Sequence, residues 1–161
     1  MRTPINGARL TSRYGKRRHP ILGYTKTHRG VDFAAPEGVP IMAAGDGTIE
    51  SIGHNGAYGK YIRIRHNSTY KTAYAHLSRY GKLMKQGRRV QQGATIGYVG
   101  SSGKSTGPHL HYEIIKDGSQ TNPMSVRLPT GDKLSESDLA IFKTHWPRIK
   151  KRLSIVSKGK N

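Results

Sequence analysis

The run Thr95-Ile96-Gly97-Tyr98-Val99, the turn Ser101-Ser102-Gly103 and the run His109-Leu110-His111-Tyr112-Glu113-Ile114-Ile115 decide the fold. Two short stretches rich in β-branched and aromatic residues flank glycine and serine punctuation, which predicts strands over 95–99 and 109–115. In a strand, residues i and i+2 point to the same face. His109 and His111 therefore project side by side, with Cβ atoms roughly 6–7 Å apart, while Leu110 turns the other way into the core.

The same pattern continues outward from this stretch. Runs at 30–33, 40–43, 47–53, 60–66 and 71–76 read as further strands. Their punctuation is Gly45-Asp46-Gly47, His54-Asn55-Gly56, Gly81, Gly87 and Gly93. Twenty glycines and nine tyrosines suit turn-rich β-structure better than a helical bundle. Residues 1–27 carry no sustained period and are expected to be loops with short extended pieces. Beyond Pro123 the composition shifts. Ser135 followed by Asp138 resembles a capping box, with Leu139, Phe142 and Trp146 at helical spacing behind it. This predicts a helix over 135–144, ended near Pro147, and a mobile basic tail from Arg148. The expected fold class is all-β, mainly antiparallel sheet, plus a C-terminal α-helix. Residues 1–125 would form one domain, and 126–161 the helix and tail. No internal repeat is present.

Charge is the strongest compositional signal: 28 Lys and Arg stand against 9 Asp and Glu, a formal net charge of +19. Such a field draws a protein onto polyanions, whether nucleic acid, anionic lipid or an acidic envelope polymer. A solvated basic surface accounts for it equally, because charge alone specifies no chemistry. Basic and aromatic residues are interleaved without any recognised DNA- or RNA-binding motif, so no specific nucleic-acid partner is expected. With no cysteine, disulfides and thiolate metal sites are excluded. No apolar stretch approaches the roughly 20 residues of a membrane span. Residues 1–15 lack the apolar core of a secretory signal, which leaves a protein that stays where it is made or part of a longer precursor.

Eight histidines are present, and spacing separates them. His28-Arg29-Gly30-Val31-Asp32 is a poor helix because of Gly30 and Val31, but a strand entered through a glycine bend lets His28 and Asp32 converge. An imidazole and a carboxylate are ligands that zinc accepts. Of the pair His109 and His111, one suits ligation and the other a neighbouring catalytic role. Two histidines and one carboxylate fill three tetrahedral positions and leave the fourth for water, as in a catalytic zinc site. His76, in Tyr74-Ala75-His76-Leu77, could flank that water together with His109.

The runs His28-x-x-x-Asp32, Tyr74-Ala75-His76-Leu77 and Gly107-Pro108-His109-Leu110-His111, in this order between glycine-rich β-spacers, resemble the lysostaphin/LytM-type zinc peptidases that cut peptidoglycan peptides. The surrounding Tyr14–Pro20, Gly30–Pro36 and Gly100–Gly107 segments match too. The likeness covers about residues 10–123. It implies one Zn2+ held by His28, Asp32 and His111, with His76 and His109 as the catalytic histidines. It implies a groove over an antiparallel sheet in which an extended peptide lies. For His66 it implies a supporting role rather than ligation; His19, His54 and His145 match no family role. The Arg17-Arg18-His19-Pro20 and Gly23–His28 text is most like the envelope DD-endopeptidases of Gram-negative bacteria. That implies a periplasmic or envelope location and D-Ala–meso-diaminopimelate crosslinks as substrate. Partners would be stem peptides, whose carboxylates arginines such as Arg13, Arg17 and Arg18 could pair with, and anionic envelope polymers. A monomer is expected. The alternative is a non-catalytic module of the same fold that binds the wall or activates amidases; such members have lost ligands, whereas all five positions are intact here.

Overall fold

The computed structural model describes residues 3–18, 25–126 and 135–158. Its strands are β1 (Arg9–Ser12), β2 (Gly15–Arg18), β3 (Thr25–His28), β4 (Val31–Ala34), β5 (Pro40–Met42), β6 (Gly47–His54), β7 (Lys60–Arg65), β8 (Tyr70–Tyr80), β9 (Arg89–Val90), β10 (Thr95–Val99), β11 (His109–Lys116) and β12 (Ser119–Thr121). The helix α1 spans Glu136–Lys158. Ten strands join in one sheet along the path β1-β4-β11-β8-β7-β6-β9. β12 is added to β11, and β10 bridges β5 and β8; β2 and β3 form a separate hairpin. Every pairing is antiparallel. The fold class is the one expected.

Alternation places the core. Ile41, Ile49, Ile62, Ile64, Leu77, Ile96, Val99 and Leu110 are all fully buried. Each contributes about 1.5–3 kcal/mol relative to an exposed side chain. β11 lies between β4 and β8, so its outward histidines project from a strand braced on both sides. β8 is longer than the expected 71–76. Up to Ala75 it pairs with β11, and from Leu77 to Tyr80 it pairs with β10. Between the two lies His76, with φ at 61°. That left-handed residue turns the strand from one partner to the next.

The N-terminal region is more regular than expected, since residues 1–27 supply β1, β2 and most of β3. The helix is a second correction. It was expected to end near Pro147 with a mobile tail after Arg148, yet α1 runs to Lys158 with Pro147 inside it. A proline removes one backbone donor and crowds the preceding turn, at about 3 kcal/mol. The Lys- and Arg-rich sequence beyond it, Arg148-Ile149-Lys150-Lys151-Arg152-Leu153, favours helix and resumes the ladder. At the start of α1, Asp138 N–H donates to Ser135 Oγ at 3.1 Å, as the capping signal predicts. The chain divides into two compact units, Met1–Val126 and Arg127–Asn161. Among the described residues, no helix is long and apolar enough to cross a membrane.

Candidate metal centre

Three elements bring His28, Asp32 and His111 together. In the register of β4 against β11, Asp32 stands directly opposite His111, and opposed Cβ atoms lie about 4.5–5.5 Å apart. His28 ends β3 and reaches Asp32 across the Arg29-Gly30 bend. Gly30 is required there by close approach. A Cβ at that position would sit 2.5 Å from the Tyr112 carbonyl oxygen and 2.8 Å from His111 Cε1.

The donor atoms form a tight triangle. His28 Nε2 is 3.0 Å from Asp32 Oδ1 and 3.1 Å from His111 Nδ1, and His111 Nδ1 is 2.8 Å from Asp32 Oδ1. A tetrahedral ion bonded at about 2.0–2.1 Å needs donors about 3.3 Å apart, so opening the triangle by a few tenths of an ångström admits it. The far nitrogens are already committed. His28 Nδ1–H donates to the Arg13 carbonyl at 2.9 Å, and His111 Nε2–H to the Glu113 carboxylate at 3.1 Å. With the far nitrogens held in this way, a neutral ring would offer its inner lone pair to an ion, the outer-shell arrangement that fixes metal-ligating histidines; without an ion the inner nitrogens donate protons to Asp32 instead. Burial opposes ionisation of Asp32, but hydrogen bonds from His111 and His28 outweigh it and hold the carboxyl well below its usual range. Burial likewise opposes a charge on His111, yet its bonds to Asp32 and Glu113 push its pKa up to about 9. A cation binding here therefore displaces a proton.

His76 and His109 stand beside this triangle, their ring centroids 4.7 Å apart. His76 Nδ1–H donates to the Ser102 carbonyl at 2.8 Å, and His109 Nδ1–H to the Gly107 carbonyl at 2.8 Å. Both Nε2 atoms are left available, and that of His109 lies 4.0 Å from Asp32 Oδ1. Burial, only partly offset by the Ser102 bond, lowers the His76 pKa and favours the neutral ring. All five residues line one groove of about 820 Å³.

Sequence reasoning missed Glu113 and Tyr58. Glu113 is 2 % exposed and shares the β11 face of His109 and His111, two residues further on. Its Oε1 accepts from His111 and, at 2.7 Å, from the Tyr58 hydroxyl; Oε2 accepts from the Gln120 amide at 3.4 Å. Burial opposes its charge, but these donors outweigh it and lower its pKa. The alternation that paired the histidines was the available signal for Glu113; nothing local marks Tyr58. His66 sits outside the groove, with Nδ1–H donating to the Asp46 carbonyl at 2.7 Å and Nε2 2.8 Å from Thr72 Oγ1. His54 and His145 are exposed, and His19 lies outside the described residues.

Residues 26–123 match Peptidase family M23, and the chain belongs to that family. Among its relatives, the peptidoglycan DD-endopeptidase ShyC of Vibrio cholerae is 48% identical over 136 residues, which are 84% of this chain and 31% of that protein. The chain thus spans about a third of that relative's length. Among solved structures, a zinc-containing peptidase from Vibrio cholerae superposes with TM-score 0.74 at 38% identity, over 78% of this chain and 39% of the other. The catalytic domain of lysostaphin from Staphylococcus simulans does so with TM-score 0.65 at 32% identity, over 74% and 91%.

Proposed function

We propose that this chain is a zinc-dependent endopeptidase that hydrolyses peptide crosslinks of bacterial peptidoglycan, at D-Ala–meso-diaminopimelate bonds, in the envelope of a Gram-negative bacterium. One observation carries this function. Three inward-facing donors of the type zinc prefers share a groove with two imidazoles whose tautomers leave Nε2 available. Metal ligands are then His28, Asp32 and His111, and catalytic residues are His76 and His109. Relatives named as peptidoglycan endopeptidases and a zinc-containing structural neighbour support the choice of ion and substrate.

Zinc bound there would lower the pKa of a water in the open position towards about 7 and polarise the scissile carbonyl. His109 and His76 supply the proton handling. A neutral Nε2 accepts the water proton, and the resulting Nε2–H donates to the developing oxyanion before passing the proton to the leaving amine. The Ser102 and Gly107 carbonyls keep both rings oriented throughout, so neither ring must turn between steps.

Metal analysis and digestion of crosslinked muropeptides, with fragments identified by mass, test this. His28→Ala should lose zinc and activity together. His109→Ala should keep zinc and lose about 10²–10⁴-fold in rate. A zinc-loaded wild type that leaves every crosslink intact refutes the hydrolytic function and favours a binding or activating module.

A further inference from the structure

The charges in the groove do not balance. Its acids are engaged from within: Asp32 bonds His28 and His111, and Glu113 bonds His111 and Tyr58. Its permanent cations, Arg29 and Lys104, are exposed and form no ion pair among the described residues. A divalent ion would compensate Asp32 and Glu113, leaving both cations unopposed at the groove wall.

Lys104 does not ride on a loose loop. Its N–H donates to the Ala57 carbonyl at 2.8 Å. Beside it Gly103, at φ 74°, packs so closely that a Cβ would lie 2.3 Å from the Gly59 nitrogen. Gly59, at φ 65°, has no room either, with the Ser102 carbonyl 2.4 Å from where its Cβ would be. These two glycines interlock the loop before β11 with the loop before β7. The segment that carries Lys104 also orients both catalytic histidines. Ser102 accepts from His76, and Ser105 Oγ lies 3.2 Å from His109 Nδ1. Arg29 comes from a different wall, directly after the ligand His28, and its charge acts on the Tyr58 hydroxyl. Both cations are thus fixed in sequence and backbone to the reacting centre.

We propose that Arg29 and Lys104 form a carboxylate-binding subsite, which makes this enzyme selective for peptides with a free carboxylate adjacent to the scissile amide. The subsite rests on the peptidase function proposed above. A carboxylate there gains charge-assisted hydrogen bonds from two cationic side chains that line the same groove. A neutral amide at the same position loses the charge and meets N–H groups with its own.

Two synthetic crosslinked peptides test it, identical except that the diaminopimelate carboxylate next to the scissile nitrogen is free in one and amidated in the other. The C-terminal carboxylate stays free in both, so it cannot supply the difference. Wild type should cleave the free acid with kcat/KM about tenfold or more above the amide. In Arg29→Gln/Lys104→Gln the two rates should converge, with zinc content and melting temperature unchanged, while Lys104→Arg should keep the preference. Equal rates on both peptides in wild type overturn the subsite and leave the peptidase function standing, as does a preference that survives in the double variant. Cleavage of neither peptide refutes the peptidase function instead. Calorimetric binding of the two peptides to His109→Ala then decides the subsite, and equal affinities overturn it.

Discussion

Replacing Glu113 by Gln should weaken zinc binding although Glu113 is itself no ligand. The substitution is nearly isosteric in a site that is 2 % exposed, so it changes charge with little change of packing. Oε1 still accepts from Tyr58 and His111, and the new amide meets Gln120, whose own amide can rotate to present its oxygen. What is lost is the anionic acceptor opposite His111 Nε2–H. A hydrogen bond to a charged partner contributes about 1–2 kcal/mol more than a neutral one. At 1.4 kcal/mol per decade this is about 5–30-fold in zinc Kd, overlapping the lower part of the 10–100-fold span of outer-shell substitutions at metal sites. Tyr58→Phe removes one donor to the same oxygen but keeps the anionic acceptor, so it should stay closer to wild type than E113Q. Competition against a chromogenic chelator at pH 7 measures both. Glu50→Gln serves as control, because its ion pairs with Arg63 and Lys71 lie away from the groove. An E113Q affinity within twofold of wild type would show that the carboxylate does not tune His111, and would refute the reasoning.

Gly30→Ala should push the His111 ring and the Tyr112 carbonyl apart from residue 30, at about 1–3 kcal/mol; chemical denaturation reads the loss, and zinc content should fall with it. His66 gives a pH dependence whose sign follows from burial, which lowers its pKa below the ordinary 6.5 with only partial compensation from the Asp46 carbonyl. Below about pH 6.5 the unfolded chain takes up a proton that the folded protein resists, so this contribution to stability is complete above 6.5 and declines as pH falls through the folded pKa. Melting temperatures of wild type and His66→Gln between pH 5 and 8 should therefore converge on acidification, and parallel curves would exclude the effect. Zinc binding to the apo protein should release a proton near pH 7, because the bonds to Asp32 and Glu113 that outweigh burial push the His111 pKa up to about 9; calorimetry in buffers of different ionisation enthalpy measures it. Pro147→Ala should deepen the helical circular dichroism signal, since the substitution restores a donor inside α1.

Features governed by a short period were readable in advance. The two-residue repeat of β11 both buried Leu110 and set His109 and His111 on one face. The bend at Gly30 carried His28 to Asp32 as its lack of a side chain allows. Extended one step, the same repeat includes Glu113, but a glutamate in an alternating strand reads equally as a solvent-facing residue. Only the flanking strands β4 and β8, with Tyr58 from 55 positions away, make it a buried acceptor. The length of β8 escaped for a different reason. A histidine at φ 61° is disfavoured by about 1–3 kcal/mol, so local preference ends the strand there. The pairing of Leu77–Tyr80 with β10 overrides it.

The least readable property is the one the chemistry depends on most. Each groove histidine has its tautomer selected by the group at its far nitrogen. For His28, His76 and His109 that group is a backbone carbonyl, of Arg13, Ser102 and Gly107 respectively. A carbonyl is the same on every residue, so no side-chain pattern in the sequence can announce it. His111 alone is oriented by a side chain, Glu113. The asymmetry has a chemical sense. A ligand opposite a carboxylate is made more basic and more strongly bound, while a carbonyl fixes direction without adding a full negative charge. In the proposed mechanism His76 and His109 must give up a proton as readily as they take one; they receive orientation from neutral carbonyls, and the full negative charge lies on the side of the groove where the ion would bind.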